Sequence, residues 1–183
     1  MKFLILTYED NIEAANETKR IFDETYPLPK HTTDIIIGYK VGDYDMKKNE
    51  VVMAGFRDKI VNVFNEPIYY MEDDVRFTKN PMMADGIGMS DIVWTVYRKG
   101  KITNKNNIIT GAQAIYFSRE AMYRLRISLQ GRQLIHFDSY ISKFIKEHDG
   151  LFFHQTVPKI GYENDHESLI SKKEHFERYT KPN

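Results

Sequence analysis

The apolar run Pro67-Ile68-Tyr69-Tyr70-Met71 ends abruptly in Glu72-Asp73-Asp74, and this junction constrains the fold more than any other part of the chain. A short β-prone run of this kind reads as a buried strand, and Val75 and Phe77 continue the apolar pattern beyond the acids. With 26 acidic residues among 183, chance alone supplies about 0.5 such triplets. The information therefore lies in the setting. Strand geometry carried through the triplet puts Glu72 and Asp74 on one face and Asp73 on the other. Paired carboxylates at a strand end suit a divalent cation. The plainer reading is a set of solvated or helix-capping acids.

Around that strand the chain alternates strand and helix patterns, without repeats. Lys2 to Thr7 reads as a strand; Asp10 and Glu13 stand where an N-cap and its partner would start a helix. Ile12, Ala15, Ile21 and Phe22 form the buried side of that helix, which Pro27 and Pro29 end. Asp34 to Tyr39 is a second strand, its Ile35-Ile36-Ile37 run matching a sheet covered on both faces. A helix spans about Asn49 to Phe64, and Ile92 to Arg98 and Ile108 to Phe117 read as further strands. Ser118 is a natural N-cap for a helix burying Ala121, Met122, Leu125 and Leu129, and Ile141, Phe144, Ile145 and His148 recur at helical spacing after Asp138. This order predicts an α/β domain with a mixed, mostly parallel sheet flanked by helices. Ligands of such sheets bind beyond the carboxyl ends of the strands, where Thr7-Tyr8-Glu9 and Glu72-Asp73-Asp74 both fall.

The length fits one domain of about 100–200 residues. No stretch approaches the roughly 18 apolar residues of a membrane span, and Tyr8-Glu9-Asp10 cuts the first apolar run short of a signal peptide. The absence of cysteine excludes disulfides, thiol catalysis and cysteine-bound zinc, and it fits a cytoplasmic setting. A net charge of zero hides an asymmetry. Between Ile92 and Phe137 only Glu120 opposes Arg98, Lys99, Lys101, Lys105, Arg119, Arg124, Arg126 and Arg132. An acidic site beside a basic block would bind a cation and a phosphate-bearing molecule side by side; ordinary solvated charges are the alternative.

Four segments in order resemble a known family: MEDDV (71–75), ITGAQAIYFSREAMYRL (109–125), HFDSYI (136–141) and VPKIGYENDHESLIS (157–171). The chain is similar to the small GT-A glycosyltransferases, above all the lipopolysaccharide-type family with its EDD triplet, over most of its length. The resemblance implies a single GT-A-like, Rossmann-like domain over 1–183, with a nucleotide-binding half (1–75), an acceptor-side half (76–171) and a C-terminal tail (172–183). It also implies a metal-dependent transferase that moves a sugar from a nucleotide-sugar, a UDP-sugar first, to an acceptor hydroxyl.

Residue roles follow from that resemblance. Asp74 and Glu72 would hold Mn²⁺ or Mg²⁺, with Asp73 reaching the ribose and His166, or in competition His154, completing the metal site or phosphate clamp. Asp138 would be the general base, although an aspartate opening a helix is an N-cap by default. Thr7, Tyr8 and Arg57 would cradle the nucleotide, while Gly111, Ala112 and Gln113 would line the donor sugar. The acceptor is a glycan or, as in bacteriophage enzymes, a hydroxymethylated DNA base. In the DNA case the basic block 98–132 would meet phosphates, and Trp94, Tyr97 or Tyr116 would stack on an extruded base. Two other classes fit parts of the pattern: a metal-dependent phosphohydrolase or nuclease using the same acids, and a non-catalytic binding protein.

Overall fold

A computed structural model describes residues 1–26, 32–40, 48–97, 99–101, 108–110, 113–148, 150–156 and 161–163. Its frame is a six-stranded sheet in the order β2-β1-β3-β8-β5-β9. The strands are β1 (Lys2–Thr7), β2 (Thr33–Ile37), β3 (Ile68–Glu72), β5 (Ile92–Val96), β8 (Ala114–Phe117) and β9 (Phe153–Gln155). Five run in one direction and β8 runs against them. Two small ribbons complete the strands: β4 (Val75–Phe77) with β10 (Gly161–Glu163), and β6 (Lys99–Lys101) with β7 (Ile108–Thr110). The expected α/β domain with a mixed, mostly parallel sheet is thus the observed one.

Alternation along the central strands feeds two cores. Leu4, Leu6, Ile68, Tyr70, Trp94, Ile115 and Phe117 face α2 (Lys48–Gly55), α3 (Arg119–Leu129) and α4 (Phe137–Glu147). Phe3, Ile5, Tyr69, Met71, Val93 and Tyr116 face α1 (Ile12–Thr25), whose Ala15 and Phe22 are fully buried. Period-2 apolar strands covered on both faces produce this layering.

Several local expectations need correction. Asp10 does not cap α1: a single tight turn over Glu9–Asn11 takes the chain first, Asn11 becomes the N-cap without a side-chain bond, and Ile12 stays 37% exposed. The Ile35–Ile37 run is only partly buried, because β2 is the edge of the sheet. The helix expected over 49–64 is α2 followed by a π-helical segment, Phe56–Val61. Residues 108–117 form two strands in different sheets rather than one. Asp138 lies inside the first turn of α4, since Phe137 opens the helix and His136 is its N-cap. Ser118 does cap α3, accepting from the Ala121 N–H at 3.1 Å.

Candidate active site at the ends of β1 and β3

The site is built by the pairing of two parallel strands. Leu6 lies opposite Glu72 in the register of β1 and β3, so the next residues, Thr7-Tyr8 and Asp73-Asp74, leave the sheet side by side. Strand geometry ends at Glu72. Asp73 and Asp74 form a tight turn into β4, which corrects the expectation that Asp74 shares a strand face with Glu72.

That turn is held from the α1 side. The Thr7 hydroxyl, wholly buried, donates to Asp73 Oδ2 at 2.6 Å. Thr18 of α1 lies 2.5 Å from the Asp73 carbonyl and 3.1 Å from that of Val75, and its oxygen accepts from Nη1 of the buried Arg76 at 2.5 Å. Asp74 is itself buried, at 8% exposure, whereas Glu72 and Asp73 are half-buried. A buried carboxylate needs compensation by hydrogen bonds or a cation, and the backbone anchoring fixes where it must be found. The Glu72 N–H is fixed too, bonding the Gln113 carbonyl at 2.8 Å just before β8. Gln113 is buried beside the acidic strand; Gly111, Ala112 and His166 lie outside the described residues.

On the opposite face Asp138 joins the acids through packing. Phe56, Tyr70 and Phe137 form a mutual ring cluster, with centroids 5.2 Å (Phe56–Tyr70), 4.9 Å (Phe56–Phe137) and 5.1 Å (Tyr70–Phe137) apart. The start of α4 is thereby clamped onto β3, and Asp138 follows Phe137 directly. The Tyr70 hydroxyl sits among these groups: burial, then the charges of Glu72, Tyr8, Asp73 and Asp138, push its pKa well up. Tyr8 is raised likewise by burial and then by Glu72 and Asp73. Neither tyrosine hydroxyl has a hydrogen-bond partner among the described residues. Both phenols stay protonated at neutral pH and act as uncharged donors beside carboxylates.

Other expected residues fall elsewhere or are already engaged. Arg57 forms a two-point pair with Asp58, Nε to Oδ1 at 2.6 Å and Nη2 to Oδ2 at 2.8 Å. That bond holds the Asp58 carboxyl below its usual range. The pair lies just beyond the end of β2, where the Tyr39 hydroxyl donates to Asp58 Oδ2 at 3.4 Å. His154 is on the outer strand β9, three strands from β3, packed on Gly86. Within the basic block, Arg124 bonds Glu120 at 2.6 Å and Arg132 bonds Glu147 at 2.7 Å. Arg126 caps the π-helical segment by donating to the Val61 and Phe64 carbonyls. Trp94, Tyr97 and Tyr116 are buried core rings rather than a stacking surface. Arg98 and Lys105 lie outside the described residues.

Thr18, Tyr70, Arg76 and Phe137 were not singled out from sequence. For Tyr70 the signal was present, since period-2 alternation puts it on the face of Glu72. For Thr18 no local signal existed, as its partners are 55 and 57 residues away.

Among the described residues no group of three or more His, Cys, Asp or Glu forms a closed metal-ligand set, and no helix is long and apolar enough to cross a membrane. No protein-family model matches the sequence, and no curated protein does. Solved structures do match. A Drosophila beta-1,4-galactosyltransferase 7 variant in complex with manganese, UDP-Gal and xylobiose aligns over 100% of this chain and 75% of its own, at 12% identity and TM-score 0.56. The catalytic domain of the same Drosophila enzyme with xylobiose aligns over the same shares at 16% identity and TM-score 0.56. A glycosyltransferase involved in glycosylating the major capsid of PBCV-1 aligns over 88% of this chain and 92% of its own, at 12% identity and TM-score 0.54. The fold is therefore that of the GT-A-type glycosyltransferases.

Proposed function

We propose that this chain is a metal-dependent glycosyltransferase that moves a sugar from a UDP-sugar to an acceptor hydroxyl. The observation that carries the reading is the junction of two parts: the acidic turn held by Thr7, and the start of α4, with Asp138, clamped onto the same strand through Phe137 and Tyr70. Support also comes from the fold, shared with a galactosyltransferase described with manganese and UDP-Gal.

The donor set fits a hard cation. Its groups are carboxylates without thiolates, and Mn²⁺ or Mg²⁺ needs only one or two protein carboxylates when substrate phosphates and waters fill the other positions. Asp74 and Glu72 would hold it, with a C-terminal contribution from His166 as the third expectation. When bound, the ion neutralises the charge that develops on the departing diphosphate. Asp73, bonded by Thr7, would accept from the ribose. Tyr8 and Arg57 border the nucleotide, and Gly111, Ala112 and Gln113 border the donor sugar. Asp138 removes the proton of the acceptor hydroxyl as that oxygen attacks the sugar carbon.

For the acceptor we favour a glycan hydroxyl over a modified DNA base. Arg124, Arg126 and Arg132 are spent on internal partners, and the rings expected to stack on an extruded base are core residues. The test is UDP release from a panel of UDP-sugars with Mn²⁺, with and without xylose- or hexose-terminated oligosaccharides and hydroxymethylated DNA. Glycan-stimulated release supports the reading, and metal-dependent cleavage of nucleic acid without any sugar donor would replace it with the phosphohydrolase alternative.

A further inference from the structure

We propose that Tyr70 is a positioning residue for Glu72: its buried hydroxyl supplies the hydrogen bond that fixes the Glu72 carboxylate as the metal–nucleotide complex binds. This rests on the transferase reading above. The side chain is fully buried, and its hydroxyl has no hydrogen-bond partner among the described residues. Buried polar groups are ordinarily paired, and an exception calls for a reason. Phenylalanine would fill the same ring position against Phe56 and Phe137 without carrying the unsatisfied group, so packing alone does not account for a tyrosine here.

Geometry supplies the reason. Tyr70 and Glu72 are two residues apart on β3 and point to the same face of the sheet. The ring is held on two sides by aromatic contacts, while Glu72 is at the strand's last position and only half-buried. Movement of Glu72 toward Tyr70 is the adjustment that pairs the hydroxyl. Among the neighbouring ionisable groups Glu72 acts on that hydroxyl most strongly, ahead of Tyr8, Asp73 and Asp138. A phenol that stays protonated is always a donor, and a carboxylate held by one oxygen presents the other in a defined direction. Loading the site with cation and nucleotide would thus satisfy a group that the unloaded fold leaves unsatisfied, which makes binding and order at Glu72 favour one another.

The test is a double-mutant cycle on Mn²⁺-dependent UDP binding, with melting temperatures recorded for every variant. Tyr70→Phe should weaken binding about tenfold, and in a Glu72→Ala background, which removes the acceptor, the same change should cost less than about twofold. The Tyr70→Phe protein should melt at the same temperature as wild type or higher, an outcome that a hydroxyl with a purely structural role does not give. Unchanged binding, an equal loss in both backgrounds, or a lowered melting temperature overturns the assignment. Wild-type protein that binds UDP with Mn²⁺ while Tyr70→Phe behaves identically removes this inference alone; wild-type protein that does not bind removes the transferase reading, and this one with it.

Discussion

The Thr7 hydroxyl donates a 2.6 Å hydrogen bond to Oδ2 of Asp73, joining the carboxyl ends of two neighbouring parallel strands at the point where both leave the sheet. Thr7 is fully buried and Asp73 half-buried, so the donor end of this bond is shielded from water. It aims one carboxylate of the acidic turn independently of any ligand.

Thr7→Val keeps the shape and removes the donor. The loss of one part-buried bond to a charged acceptor should cost about 1.5 kcal/mol of stability. Because Asp73 then loses the bond that orients its Oδ2, UDP affinity in the presence of Mn²⁺ should fall by about tenfold as well. Calorimetry together with urea unfolding separates the two effects.

Asp74→Asn should abolish metal-dependent nucleotide binding while leaving the melting temperature nearly unchanged. Asparagine keeps the size and one acceptor oxygen of this buried turn residue and removes only the charge that a cation needs. A variant that unfolds would instead give Asp74 a structural role.

Asp138→Asn separates base from scaffold. Its place inside the first turn of α4 means that loss of its charge forgoes only about 0.3–1 kcal/mol of favourable interaction with the helix end. As the base it should lower kcat by about 100-fold or more with donor affinity retained. Single-turnover kinetics beside donor titration check this.

Arg126→Ala should destabilise the fold by about 1–3 kcal/mol, because three backbone-directed bonds to the end of the π-helical segment are lost. Turnover per folded molecule should not change. A residue that instead meets a polyanionic acceptor would alter the salt dependence of acceptor binding.

The Arg57–Asp58 pair predicts a sign for pH. The guanidinium holds the Asp58 carboxyl below its usual range, so the contribution is complete above the unfolded value of about 3.9 and disappears as pH falls through the folded one. Partial exposure keeps it to about 1 kcal/mol or less. Asp58→Asn should flatten that part of the acid side of a stability–pH curve measured by urea unfolding.

Periodicity made β1, β3, α3 and the buried face of α4 legible in the sequence, because long apolar patterns report burial directly. It failed at Ile35–Ile37, where the same β-branched run serves an edge strand; residue type does not encode a strand's place in the sheet order. It failed again at Asp74, where the chain turns immediately after the strand and alternation no longer applies. The acids could be read as a site from their position after a core strand. Their supports could not: Thr18 reaches across 55 residues to Asp73, and Phe137 finds Tyr70 only once α4 lies on the sheet. The basic block illustrates a related point. Net charge along the sequence does not show that Arg124, Arg126 and Arg132 meet their partners within the fold.

The most direct test is calorimetric titration of UDP and UDP-sugars into the wild-type protein with Mn²⁺ and then with excess chelator. The account predicts saturable, one-to-one binding that the chelator removes and that Asp74→Asn lacks. Binding that is indifferent to metal, or no binding to any UDP compound, would contradict it.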